Sequence, residues 1–360
     1  DRIMAYTTID DPSAHFQTKI YTGDGNNNRA ITNDGNSDLQ PDFIWLKDRN
    51  VGFGHRLTDS TRGITKNLAS ETTGAEGTST TQYASWNTDG FTLIYGGQQV
   101  PNYNGHTYVA WQWKANGGTT ATNTDGDINS TVQANTDAGF SIITYTGSGT
   151  TNDTIGHGLG VAPDIAIFKR RDVATGNWDV QHNAGNPGAV TVAYRHTLNL
   201  TDGTATNVLS SFSSSTIGLS TGGDAQKNVS GSKYVCYAFK AIPGYSAFGS
   251  YYGNGTTNGE FVYLGFKPAF VMVKVLSDPN YGWVIADNKR GPINENEQSL
   301  YANSNAAETT NDFNGDFLSN GFKLYGSTYP ANSGGTNTFA YFAFAENPFV
   351  TSTGIPTTAR

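Results

Sequence analysis

The five residues "YTGDG" at 21–25 return as "YTGSG" at 145–149 and "YYGNG" at 251–255. Behind each turn comes a second repeated phrase: "LQPDFIWLKDR" (39–49), "GVAPDIAIFKRR" (160–171) and "GFKPAFVMVKVL" (265–276). In all three, Pro precedes Lys by six residues: Pro41 and Lys47, Pro163 and Lys169, Pro268 and Lys274. "LTDSTRG", "VQHNAG" and "IADNKRG" follow, and each copy closes on an aromatic run: "YVAWQW" (108–113), "YVCYAF" (234–239) or "FAYFAF" (339–344). Tyr21 to Tyr108 spans 87 residues, Tyr145 to Tyr234 spans 89, and Tyr251 to Phe339 spans 88. Spacing this constant marks a triplicated unit. The unit exceeds the ~20–50 residues of solenoid repeats and is large enough to bury a core of its own.

Each unit reads as β-structure. In the closing runs, Val109, Trp111 and Trp113 share one face by period 2, as do Val235, Tyr237, Phe239 and Ala340, Phe342, Phe344. "FIWLK", "IAIFK" and "FVMVK" are continuously apolar, which predicts a central strand covered on both sides. Pro starts those strands, where its missing N–H does no harm. "TDGF" (88–91) and "SNGF" (319–322) carry the Asp-Gly and Asn-Gly signals of tight hairpins. Convincing 3.6-residue stripes are lacking, so helices should be scarce.

The expected architecture is all-β: three tandem antiparallel β-sandwich modules, jelly-roll-like, each closed by its own aromatic stripe. The expected boundaries are an arm at 1–16, module one at 17–115, a Thr/Asn/Gly-rich linker at 116–139, module two at 140–243, module three at 244–349 and a tail at 350–360.

Composition agrees. Charged residues are only 14%, yet aromatics reach 12% and Gly 43 of 360, a profile of short strands and turns rather than disorder. A net charge of −8 without clustered Lys and Arg argues against nucleic acid. No apolar run approaches the ~20 residues that cross a bilayer, so membrane insertion is not expected. The chain opens at Asp1, consistent with processing or with a piece of a longer product. The single cysteine, Cys236 in "KYVCYAF", excludes an internal disulfide framework and reads as a small buried hydrophobe.

Enzyme signatures are lacking: no H-E-x-x-H, no G-x-S-x-G elbow, no P-loop and no paired-cysteine zinc spacing. No acidic column persists across the copies, since Asp59 aligns roughly with Gln181 and Asp287; Asp59 and Asp287 read as turn-holding groups. A non-enzyme is expected. His157 in "IGHGLG" reads as a locally bonded loop residue. "NTDGDIN" (123–129) alternates the oxygen donors Asn123, Asp125, Asp127 and Asn129, a pattern that can feed Ca²⁺, although a polar linker explains it too. Five N-x-S/T sequons, at Asn129, Asn152, Asn199, Asn228 and Asn254, follow from composition. The ligand-binding candidates are the loop tyrosines Tyr95, Tyr103, Tyr325 and Tyr329, whose rings suit a sugar face or a protein partner.

Several phrases, "IDDPSAHFQTKIYTGDG" (9–25), "VAWQWKANGG" (109–118), "TIGHGLGVAPDIAIFKRRD" (154–172), "GYSAFGSYYGNG" (244–255), "DFLSNGFKL" (316–324) and "AFAENPFVTSTGIPTTAR" (343–360), resemble virion-associated proteins of tailed, especially marine, phages. The resemblance runs over nearly the whole chain and supplies no catalytic residues. It implies an extracellular virion part: a tail-fibre or capsid-attached fibre component that contacts other virion proteins, forms homo-oligomers (trimers if a fibre) and binds a host-surface glycan or protein. The alternatives are a purely architectural decoration or tail subunit, and a secreted carbohydrate-binding protein or polysaccharide depolymerase. Copy two departs from the pattern, having lost the Asp/Asn-Gly-Phe word, which suggests a spacer role.

Overall fold

A computed structural model describes residues 6–97, 101–183, 194–203, 211–219, 227–327, 330–334 and 337–357. The chain is all-β and antiparallel; among the described residues the one helical element is a short 3-10 turn, Pro12–Ala14. The same four-strand order occurs in each third. An opening strand (Phe16–Thr22, Phe140–Thr146, Ser246–Tyr252) pairs with the closing strand (Thr107–Trp113, Lys233–Phe239, Thr338–Pro348). The closing strand pairs with a central strand (Phe43–Asp48, Ile165–Arg170, Phe266–Val275), and that with a fourth (Arg56–Asp59, Trp178–His182, Val284–Asp287). The central strands are almost wholly buried, as their unbroken apolar runs require.

The repeated turn has a physical reason. Tyr21, Tyr145 and Tyr251 lie directly across from Tyr108, Tyr234 and Phe339, their rings stacked at 5.0, 5.0 and 5.1 Å. Each tyrosine hydroxyl donates to a backbone carbonyl about eighty residues on: Pro101, Lys227 or Ala331. The first glycine lets the two backbones touch, because a Cβ on Gly23, Gly147 or Gly253 would lie 2.1, 2.4 or 2.4 Å from a carbonyl oxygen. The second glycine takes φ of +70°, +80° and +64° at Gly25, Gly149 and Gly255. A buried asparagine completes each clamp. The Oδ1 of Asn102, Asn228 and Asn332 accepts from the turn's amides while Nδ2 donates back to turn oxygens.

A smaller second layer covers one face of each sheet. In the first third it is Arg29–Ile31, Phe91–Leu93 and Tyr83–Trp86; in the second it is Thr154–Gly156 with Thr216–Gly218. In the third, the main sheet continues through Asn296–Tyr301 and folds over into Thr309–Leu318, Gly321–Leu324 and Phe261–Tyr263. Three separate cores fill these sandwiches, built on Tyr108 and Ala110, on Tyr234, Cys236 and Ala238, and on Phe339, Ala343 and Ala345.

The aromatic stripes point the other way, which corrects the expectation of independent modules. Val109, Trp111, Trp113, Val235, Tyr237, Phe239, Ala340, Phe342 and Phe344 all belong to one core shared by the three thirds. Period 2 identified the right faces. It could not tell that the ringed face meets its two sister faces while the smaller residues meet the sandwich's own second layer. Where the sheets meet remains a void of about 30 Å³ lined wholly by apolar side chains.

Polar contacts around that core run in one direction and close a ring. Trp178 Nε1 of the second third donates to Ala69 O of the first (2.8 Å), and Trp283 Nε1 of the third donates to Thr197 O of the second (3.0 Å). His55 of the first lies in the same position, with Nε2 3.0 Å from Tyr301 O of the third; its Nδ1 accepts from Trp45 Nε1, which leaves the proton on Nε2. Arg171 reaches back to Glu76, as Arg49 reaches Glu308. Asp59 accepts from Tyr237 Oη (2.7 Å) and Asp287 from Trp111 Nε1 (3.0 Å). The strand register puts His182, not Gln181, in their column, and His182 packs edge-on against Phe342 at 5.5 Å. Asp59 and Asp287 hold their turns as expected, accepting from the amides of Arg62 and Arg290, and serve the ring as well.

The ends and the linker differ from expectation. Within 116–139, Ala121–Asn123 and Ser130–Asn135 extend the second sheet at its edge, because Ile128 and Val132 bury apolar side chains against it. The arm at 1–16 contributes Ile9 and Phe16 to the shared core, and Asp10 bonds Ser352 of the tail.

Candidate functional site

The outward face of the third unit's second layer gathers exposed rings. Phe261 and Tyr263 alternate on the edge strand and are 43% and 63% exposed, while Val262 between them is buried. Register places Lys323 beside Phe261 and Asp316 beside Lys323; Gly321 lies beside Tyr263 and Leu318 beside Gly321. Tyr325 completes the patch, its ring 5.5 Å from Lys323 Nζ and its hydroxyl donating to Asp316 Oδ2 at 2.8 Å. That bond to a carboxylate raises the phenol's pKa, so it stays a neutral donor. Asp316 Oδ1 has no protein partner. Lys323 is held by Asn258 Oδ1 and Gly259 O, both at 2.9 Å. Gly321 permits the close strand approach, since a Cβ there would sit 2.0 Å from Val262 O and 3.2 Å from the ring of Phe261.

Among the described residues, the corresponding strands of the other thirds carry no outward rings. In the first, Ser85, Thr92 and Ala30 align across the layer; in the second, Thr154 and Thr216 stand opposite glycines. Thr216–Gly218 of copy two, three residues long like Phe91–Leu93 of copy one, forms its outer strand without the Asp/Asn-Gly-Phe word.

Of the tyrosines singled out from sequence, Tyr325 joins this face. Tyr95 is partly exposed in the first third, its amide bonded to Asn27. Tyr103 is structural: its carbonyl is the one Gly23 approaches, and its amide donates to Tyr108 Oη. Tyr329 lies outside the described residues. Sequence reasoning missed Phe261 and Tyr263, although their alternation around Val262 was visible.

Of the four oxygen donors in 123–129, Asn123, Asp125 and Asp127 are engaged in local bonds. Asn123 Oδ1 accepts from the amide of Asp125 and Asn123 Nδ2 donates to Asp125, while Asp127 Oδ2 accepts from Thr154 N and Oγ1. Asp127 and Asn129 line a shallow polar groove with Arg171 and Lys233. Among the described residues no group of three or more His, Cys, Asp or Glu is placed to hold a metal. His157 is buried with Nδ1 accepting from Leu159 N, and burial lowers its pKa. Cys236 is buried and its thiol pKa is pushed well up, which removes nucleophilic character.

A family described as a domain of unknown function, DUF7483, matches residues 11–348. The chain belongs to the DUF7483 family. The match takes in all three copies as one stretch, in keeping with a DUF7483 body whose thirds share a core. Curated proteins and solved structures give this DUF7483 chain no match. No helix among the described residues is long and apolar enough to cross a membrane.

Proposed function

We propose that this chain is a non-catalytic virion component of a tailed phage, a tail-fibre or capsid-attached fibre part, that binds a host-surface glycan through the outward face of its third unit. The carrying observation is the cluster of Phe261, Tyr263 and Tyr325 around Lys323 and Asp316 in the third unit; among the described residues, Ser85, Thr92 and Ala30 stand there in the first and Thr154 and Thr216 in the second. Rings on one strand face offer flat apolar surface to a sugar's C–H face. The lysine ammonium, with two of its protons held by Asn258 and Gly259, has one donor left for a sugar hydroxyl at the rim. The remaining described surface is poor in charge and dense in short strands, suited to persistence outside a cell. Many copies on one particle would turn weak contacts into firm attachment.

The test is adhesion of the full chain to host cells or their isolated envelope polysaccharide. Tyr263→Ala and Phe261→Ala are each expected to weaken binding at least tenfold, about 1.4 kcal/mol, with the melting temperature unchanged. Unaltered adhesion by the double variant would refute the site. Polysaccharide chains shortened on incubation would refute the non-catalytic reading.

A further inference from the structure

Strand register sorts the outward side chains of the third unit's second layer into rows. Tyr263 stands beside Gly321 and Leu318, and Phe261 stands beside Lys323 and Asp316. One step further, Tyr325 lies against Asn314, whose carbonyl accepts the Tyr325 amide at 2.9 Å. Neighbouring rows on one face are two residues apart, about 6.8 Å along an antiparallel strand. Tyr263, Phe261 and Tyr325 thus occupy three successive rows, and together they span about 14 Å.

The first two rings lie against glycines. Tyr263 Oη comes within 3.6 Å of the point where a Cβ on Gly265 would stand, and Phe261 Cε2 within 3.2 Å of that point on Gly321. Gly321 is buried although it belongs to the outward set of its strand, with the ring of Phe261 against it. A ring that rests on a glycine keeps its other side for solvent, in keeping with the exposure of both residues. The third row is polar. Lys323 Nζ lies over the ring of Tyr325, and the Tyr325 hydroxyl, donating to Asp316, can still accept. Lys323 keeps one ammonium proton free of Asn258 and Gly259.

A sugar stacks on a ring through its C–H face, and a pyranose unit in an extended chain is about as long as the step between rows. We infer that the ligand of this face is a run of three consecutive sugar units inside a longer polysaccharide, laid along the strands. The inference rests on the glycan reading above. One unit lies on Tyr263, the next on Phe261, and the third meets Lys323 and the Tyr325 hydroxyl. Rungs set in line on a sheet surface take the interior of a chain rather than its end.

The probe is the host envelope polysaccharide, cut by mild acid and sized into fragments of one to six sugars. Each fraction competes with the intact polysaccharide for the full-length protein. Inhibition should strengthen about tenfold or more from one sugar to three and change little beyond four. Borohydride reduction of the six-sugar fragment's terminal aldehyde should leave its potency unchanged. In Tyr263→Ala, and separately in Lys323→Met, the gain between two sugars and three should disappear, since each removes an end rung. Single sugars as potent as trimers, a potency lost on reduction, or an unaltered gain in both variants would overturn the three-unit site and leave the glycan reading standing. An intact polysaccharide that does not bind the wild-type chain would overturn both.

Discussion

Asn102, Asn228 and Asn332 each fasten a turn to a loop about eighty residues away. Replacing Asn332 with Ala would strand the amide of Asn254 and the carbonyls of Thr256 and Gly326. The expected cost is about 2–3 kcal/mol, measurable as a lower urea midpoint at unchanged slope. These asparagines were hard to see in the sequence because different residues precede them, Pro101, Lys227 and Ala331, in loops of unequal wording; Asn228 even reads as a glycosylation sequon although it is buried. The tyrosine and glycines of the same clamp were plain, since stacking and close backbone approach admit few substitutes. Protonation is a second matter at this scale. Burial holds His55 and His182 neutral with pKa values near 3. Because these values are depressed, the stability the histidines confer is complete above about pH 6.5 and is lost as the pH falls from there toward 3. At pH 5 each would cost about 2 kcal/mol. Urea midpoints should therefore drop between pH 7 and pH 5, and His55→Gln should flatten that slope; an unchanged slope would contradict the assignment. Lys47, Lys169 and Lys274, pushed down to about 8 by burial, act with the same sign at higher pH: stability should rise from pH 8 toward 10.

Among elements, the closing and fourth strands join the thirds. Tyr237→Phe keeps the ring in the shared core but removes the hydroxyl that donates to Asp59 and accepts from Arg62 at 3.1 Å. A loss of about 1–3 kcal/mol is expected, with Tyr237→Phe and Asp59→Asn less than additive in a double-mutant cycle. The strands themselves were legible: the Pro-to-Lys phrase marked every central strand and the aromatic runs every closing strand. Which side of each strand faced which neighbour was not. Local periodicity reports that a face is buried and is silent about what buries it. The edge-strand rings Phe261 and Tyr263 sit in a strand of three residues, too short an alternation to tell an outward face from a buried one, whereas a loop tyrosine is marked by the turn residues around it.

For the whole molecule, each third offers one surface to a sister and receives another, and the circle closes within a single chain. Heterologous contacts that close leave no open surface of the same kind. The trimer expected of a fibre thus has a counterpart inside the polypeptide, and light scattering after gel filtration should give a monomer. Calorimetry should show one cooperative transition rather than three. A chain ending at residue 243 should aggregate or bind hydrophobic dye, since it would uncover Phe16, Trp111 and Trp113, which pack against Phe270 and Phe344.

Closure also sets a timetable for biosynthesis. Arg49 and Glu308 are partners 259 positions apart in the chain, and at about 5–20 residues per second the ribosome needs well over ten seconds to make the second after the first. Throughout that interval the nascent protein carries bare tryptophans with no surface to meet. A slower translation rate or scarce chaperones should therefore lower the soluble yield of this chain more than that of a single sandwich of equal stability.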